Sequence, residues 1–220
     1  MSSVGGKYSD GPLVRRGNPR ASRLLESLPV PPSLLDALRA HVPWDDQEEE
    51  HRQCILDFVE RHPDPFDRRI QKGHLTGSAF VVSATGDRVL LLRHRKLRRW
   101  LQPGGHADPG ERSGEAVALR EAVEETGLTG LALHATAPRP LDVDVHEIPS
   151  HGDEAAHLHL DLRYMCIASA HAELRRVAEE SDALRWFVWN ELPALDLDPG
   201  VVRALAKVQR IMSAGPRPGP

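Results

Sequence analysis

The sequence predicts an α/β sandwich preceded by a small helical extension, on three observations. Helical spacing of apolar residues prevails over 23–72. From Leu75 onward the pattern changes to short apolar runs and strict alternation, the signature of strands. Two helical stripes, over 115–126 and 201–212, then interrupt and close the strand region. Strands flanked by helices bury both sheet faces, which fits a sandwich better than an all-β fold.

Taken in order, residues 1–22 hold Gly, Ser, Pro and Arg with almost no apolar periodicity, so a disordered tail is expected. A helix begins at Ser33 after Pro31 and Pro32. A second spans 45–61, with Ile55, Leu56, Phe58 and Val59 at helical spacing, and Pro63 and Pro65 end it. These two helices make up the extension, 23–72. Residues 79–82 and 89–92 read as strands joined through Thr85, Gly86 and Asp87, and 131–134 as a short strand. Residues 141–146 put Asp142, Asp144 and His146 on one face, and 157–163 do the same for His157, His159, Asp161 and Arg163. A turn-rich stretch containing Glu154 joins them. A strand over 184–188, a helical turn at 190–192 and the last helix follow, and 213–220 reads as a flexible tail.

Composition excludes several classes of function. A net charge of −4 over 220 residues gives no global case for nucleic acid or an anionic membrane as partner. Neither a hydrophobic signal core nor an apolar run near membrane-spanning length is present. Cys54 and Cys166 lie far apart in apolar surroundings and read as two buried, reduced thiols of a cytoplasmic protein. Trp44 and Phe66, read as exposed apolar side chains, point to a homodimer.

The chemistry concentrates in 104–128. Gly104 and Gly105 form a glycine turn after a strand, Ser113 is a candidate N-cap, and Gly127 a candidate helix end. Glu121, Glu124 and Glu125 lie three and four positions apart on that helix, so their like charges crowd one face. Repulsion there is relieved by a divalent cation, and Mg²⁺ favours carboxylate oxygens while leaving room for substrate phosphates. The competing reading is a solvated helix face laced with salt bridges. For His157 and His159, a substrate-side role, zinc ligation and a plain polar face all stand open. The basic run 93–99 beside Trp100 offers phosphate contact through Arg93 and Arg95, with nucleic-acid binding and ordinary surface charge as alternatives.

The same residues resemble the Nudix box, Gly-x5-Glu-x7-Arg-Glu-U-x-Glu-Glu-x-Gly-U, in which U is bulky and apolar. Gly105, Glu111, Arg120, Glu121, Glu124, Glu125, Gly127 and Leu128 match its fixed positions. In two respects the chain departs from it: eight residues separate Glu111 from Arg120, and the first U is the small Ala122. The insertion puts Glu111 in question, with Glu115 or Asp108 as substitutes. The resemblance implies a Nudix-type α/β/α sandwich with a mixed sheet over 73–212, close to a bacterial subset that carries a helical N-terminal extension. It implies hydrolysis of a nucleoside diphosphate linked to another moiety, with Mg²⁺ or alternatively Mn²⁺ as cofactor. Metal ligands by this resemblance are the Gly105 carbonyl, Glu111, Glu121, Glu124 and Glu125. Glu121 also stands as the group that activates water, and Arg120 as the one that orients a box glutamate. Glu154 and His159 stand as general-base candidates, and Arg93, Arg95, Trp100 and His157 as substrate contacts. The alternative from another class is a sensor of the same fold that binds a nucleotide or sugar-nucleotide without cleaving it.

Overall fold

The helix α1 (Leu34–Arg39) starts where the Ser33 hydroxyl accepts the Asp36 amide, and α2 (Asp46–Arg61) starts where Asp45 accepts that of Glu48. Side-chain oxygens at these positions satisfy amides that the first helical turn leaves open. The structure is a computed structural model that describes residues 33–137, 139–150, 152, 155–169, 174 and 181–214. The strands are β1 (Gly73–Val82), β2 (Arg88–His94), β3 (Trp100–Leu101) and β4 (Gly104–His106), then, after the helix α3 (Gly114–Thr126), β5 (Ala132–Leu133), β6 (Asp142–Ile148), β7 (His157–Ile167) and β8 (Ser181–Val188). A 3₁₀ turn (Trp189–Ala194) leads to α4 (Pro199–Ser213).

One mixed sheet holds all the strands. Its central pair is β1 and β7, parallel over their whole shared length, and every other pairing is antiparallel. Because side chains alternate along a strand, β1 supplies both layers of the core. Leu75, Ala79 and Val81 pack with Val117, Ala118 and Ala122 of α3 and with Leu38, Ile55 and Leu56 of α1 and α2. Phe80 and Val82 pack on the other side with Val201, Ala204, Leu205 and Val208 of α4. The architecture is therefore α/β/α, as the sequence predicts.

Several expectations shift at the level of residues. Phe66, expected at the surface, is buried in the first core, whereas Trp44 is 45% exposed beneath the Arg210 guanidinium. The two cysteines differ: Cys166 is buried, and burial pushes its thiol up to about 12, but Cys54 is exposed. Periodicity marked the apolar face of α2 without fixing on which side of its edge Cys54 falls. The β1 strand begins six residues earlier than the run 79–82 indicated, because His74, Thr76 and Ser78 interrupt the apolar pattern while still pairing with β7.

Those polar residues continue into a buried network on the α4 side. Asp161 accepts the hydroxyls of Thr76 (3.0 Å) and Ser78 (2.7 Å) and the Arg163 guanidinium (3.1 Å). Arg163 also reaches Asp142 (3.1 Å) and Asp144 (3.0 Å). From α4, Arg203 meets Asp142 (2.8 Å), and Lys207 meets both Asp142 (2.9 Å) and Glu48 of α2. Glu48 accepts from the Trp44 amide (2.6 Å) and pairs with His41 (2.7 Å). Burial alone would raise the Glu48 carboxyl, but the bonds from His41, Lys207 and the Trp44 amide overcome it and hold its pKa far below the usual range.

Candidate active site

Two glycines let β4 run close against its neighbours. Gly105 lies opposite Gly77 in the antiparallel pair with β1. A Cβ on Gly105 would stand 2.7 Å from the Glu121 carboxylate, and one on Gly104 would stand 2.3 Å from the Ser78 Cβ. Without those atoms, the backbone of the turn comes directly under the carboxylates of α3. The Gly104 amide donates to Glu125 at 2.8 Å. The turn before α3 is closed by Glu111, whose carboxylate accepts the Asp108 amide at 2.8 Å. Ser113 then caps the helix by accepting from Ala116, and Gly127 ends it at φ 66°, a left-handed conformation that glycine adopts without strain.

Arg120 is the hub of this cluster. It donates to Glu111 (2.9 Å), Glu121 (3.0 Å), Glu124 (3.0 Å) and the carbonyl of His106 (2.6 Å). Burial opposes its charge, yet the bond to Glu111 and the fields of Glu121 and Glu111 outweigh that and raise its pKa. One guanidinium thus holds three carboxylates within reach of one another, and Glu125 is anchored beside them by Gly104. Despite the inserted residue, Glu111 occupies the cluster. Glu115 is buried against the Tyr164 hydroxyl instead, and Asp108 is an exposed group 3.7 Å from Arg120. Glu111, Glu121 and Glu124 on Arg120, with Glu125 on the Gly104 amide, present only oxygen donors, the kind that suits Mg²⁺ or Mn²⁺ rather than a soft ion. The residues fit a hard divalent cation.

The remaining sequence candidates fall elsewhere. Arg93 pairs with Trp100 across β2 and β3, Trp100 meets the Phe187 ring edge-on (4.8 Å), and Arg95 forms an exposed ion pair with Asp182 (3.1 Å). Glu154 lies outside the described residues. His157 and His159 project from the sheet face opposite α3, since they share the alternation of Asp161 rather than that of Gly77. The connection to the carboxylate cluster runs through His106: its carbonyl takes Arg120, and its ring lies 3.1 Å from His159, Nε2 to Nε2. Burial first, then the neighbouring imidazoles, lower His159 to about 2, so it is neutral at pH 7 and a weak base.

Sequence reasoning missed His74 and His106. His106 occupies a free position of the box, and His74 stands alone in the sequence. Both become visible only through register: His74 faces His159 in the parallel pair, and His106 faces Thr76.

A NUDIX domain profile matches residues 74–208. Over 117 residues the chain is 32% identical to a Bacillus subtilis (strain 168) protein described as "Putative 8-oxo-dGTP diphosphatase", covering 53% of this chain and 68% of that one. A solved structure of a C. elegans Ap4A hydrolase binary complex superimposes with a TM-score of 0.49 at 16% identity, covering 64% of this chain and 98% of that one. A NUDIX-family hydrolase from Clostridium perfringens gives 0.46 at 25% identity, covering 63% and 97%. Among the described residues, no helix is long and apolar enough to cross a membrane.

Proposed function

The chain belongs to the NUDIX family, and on that premise we propose that it is a Mg²⁺-dependent pyrophosphohydrolase acting on a nucleoside diphosphate linked to another moiety. In this reaction water attacks a phosphorus of the diphosphate, one P–O bond breaks, and two phosphorylated products leave. The observation that carries the reading is the convergence of Glu111, Glu121 and Glu124 on Arg120, with Glu125 on the Gly104 amide. Such oxygen donors beside a glycine turn suit a cation that meets phosphate oxygens.

Glu111, Glu121, Glu124, Glu125 and the Gly105 carbonyl are the groups that would hold the ion. When bound, it would neutralise phosphate charge and lower the pKa of water. The chain's own residues do the positioning. Arg120 orients the carboxylates and does not contact substrate. Glu121, lying against Gly105, is the group we assign to accept the proton of the attacking water. The low basicity of His159 speaks against it in that role. Similarity to the Bacillus subtilis protein makes nucleoside triphosphates, oxidised purine forms among them, the first substrates to try. Arg93, Arg95, Trp100 and His157 are proposed as substrate contacts outside the box. Cytoplasmic residence, and a homodimer through the exposed Val42 and Trp44, belong to the same reading.

The test is phosphate release with Mg²⁺, coupled to an added pyrophosphatase or phosphatase that acts on the products, across nucleoside triphosphates, dinucleoside polyphosphates, ADP-ribose and nucleotide sugars, with Glu124→Gln in parallel. Turnover of at least one substrate, absent without Mg²⁺ and reduced at least about 10²-fold in the variant, is expected. Metal-dependent binding without turnover would contradict it and favour the sensor.

A further inference from the structure

Five histidines meet on the sheet face opposite α3. The His74 ring centroid lies 5.0 Å from that of His106, 5.1 Å from His157 and 5.0 Å from His159. His159 in turn lies 4.8 Å from His106, 5.2 Å from His157 and 5.5 Å from His146. Four strands bring them together: the parallel register of β1 and β7 sets His74 against His159, β4 adds His106, and β6 sets His146 beside His159. His74 and His157 are buried.

We propose that His74, His157 and His159 form a second metal site, an all-imidazole one that takes a divalent transition ion of the Zn²⁺ class. One ligand nitrogen from each of the three lies within 4.8 Å of the others. Tetrahedral zinc at about 2.0–2.1 Å from each nitrogen would hold them roughly 3.3 Å apart, so modest ring rotations close the site. The His157 Nδ1–H donates to the Ala155 carbonyl at 2.9 Å, which leaves Nε2 as the nitrogen that would meet a metal. Metal-bound histidines commonly carry such an outer hydrogen bond. Imidazole-only donors select Zn²⁺, Cu²⁺ or Ni²⁺ and not Mg²⁺, which separates this site in chemistry from the carboxylates on the other face. His106 lies beside these three, its Nε2 3.1 Å from the Nε2 of His159. Packing of neutral rings as part of the core is the simpler alternative, but it gives no reason for three ring nitrogens to converge. The proposal does not depend on the carboxylate site, since none of its ligands belongs to the box and its ion is another; a metal on His157 would replace the substrate contact proposed for that residue.

The full chain, stripped by chelator and then saturated with Mg²⁺ to fill the carboxylate site, is titrated with Co²⁺ and followed by its visible d–d absorption. The expected result is one Co²⁺ per chain, displaced by Zn²⁺, with the absorption unchanged in Glu124→Gln. His157→Gln and His74→Asn, each checked for folding by circular dichroism, should bind Co²⁺ at least about tenfold more weakly. Absence of the absorption in the wild-type chain would overturn the proposal without reference to any histidine variant. So would absorption lost in Glu124→Gln and retained in folded histidine variants.

Discussion

Arg120 illustrates how one side chain can draw several carboxylates together at one point. Its guanidinium meets three carboxylates and a backbone carbonyl at once, a task for which a lysine ammonium lacks the planar fork. Arg120→Lys should therefore behave almost like Arg120→Ala. We expect kcat to fall about 10²-fold in both, because displacing catalytic groups by about an ångström has effects of that size. Steady-state kinetics on the first active substrate checks this, and a lysine variant near wild-type rates would refute the orienting role. Gly105→Ala is the complementary probe, since its Cβ would stand 2.7 Å from the Glu121 carboxylate. Activity should drop while the fold survives, because a side chain can move where a backbone could not. These residues were legible in the sequence because the box is local: its spacing alone puts the glutamates on one helical face. Glu111 was the exception. The insertion shifts its sequence register, and only the turn ending at Ser113 shows that its carboxylate still reaches Arg120.

At the scale of elements, α3 depends on two features: its Ser113 cap and its close approach to β1. A Cβ on Gly77 would stand 2.6 Å from the Gly114 carbonyl oxygen and 2.9 Å from the Ala118 nitrogen, both backbone atoms that cannot rotate away. Gly77→Ala should therefore separate helix and strand and cost about 1–3 kcal/mol in urea unfolding. Ser113→Ala should cost about 1 kcal/mol, the usual loss of a cap. Helix ends were readable because capping is a matter of a few neighbouring residues. Pairing partners were not. Alternation assigned His157 and His159 to one face of a strand, but nothing local says that this face meets His74 through a parallel ladder. The same limit hid the start of β1, where polar side chains in a buried strand break the apolar pattern.

For the whole molecule, the buried network joins α2, the sheet and α4 through Glu48, Lys207, Asp142, Arg203 and Arg163. Lys207→Met would leave Glu48 and Asp142 short of a cation, a loss of about 3–5 kcal/mol for a buried pair broken on one side. The pH dependence follows from the depressed Glu48 carboxyl. A folded pKa below the ordinary 4.5 means that the stabilisation is fully present above that value and is lost as pH falls below it. Thermal unfolding should accordingly show the gap between wild type and Lys207→Met holding steady from pH 7 to about 5 and shrinking as the pH is lowered further below 4.5. A gap independent of pH would mean that the network contributes packing and not charge.

The central claim is that water is activated at the carboxylate cluster of α3 and attacks phosphorus. The measurement that tests it most directly is mass spectrometry of the products formed with Mg²⁺ in ¹⁸O-labelled water, for wild type and Glu121→Gln. The account predicts one ¹⁸O atom in one of the two phosphorylated products and almost no product from the folded variant. Products without label, or labelled product formed at the wild-type rate by Glu121→Gln, would contradict it.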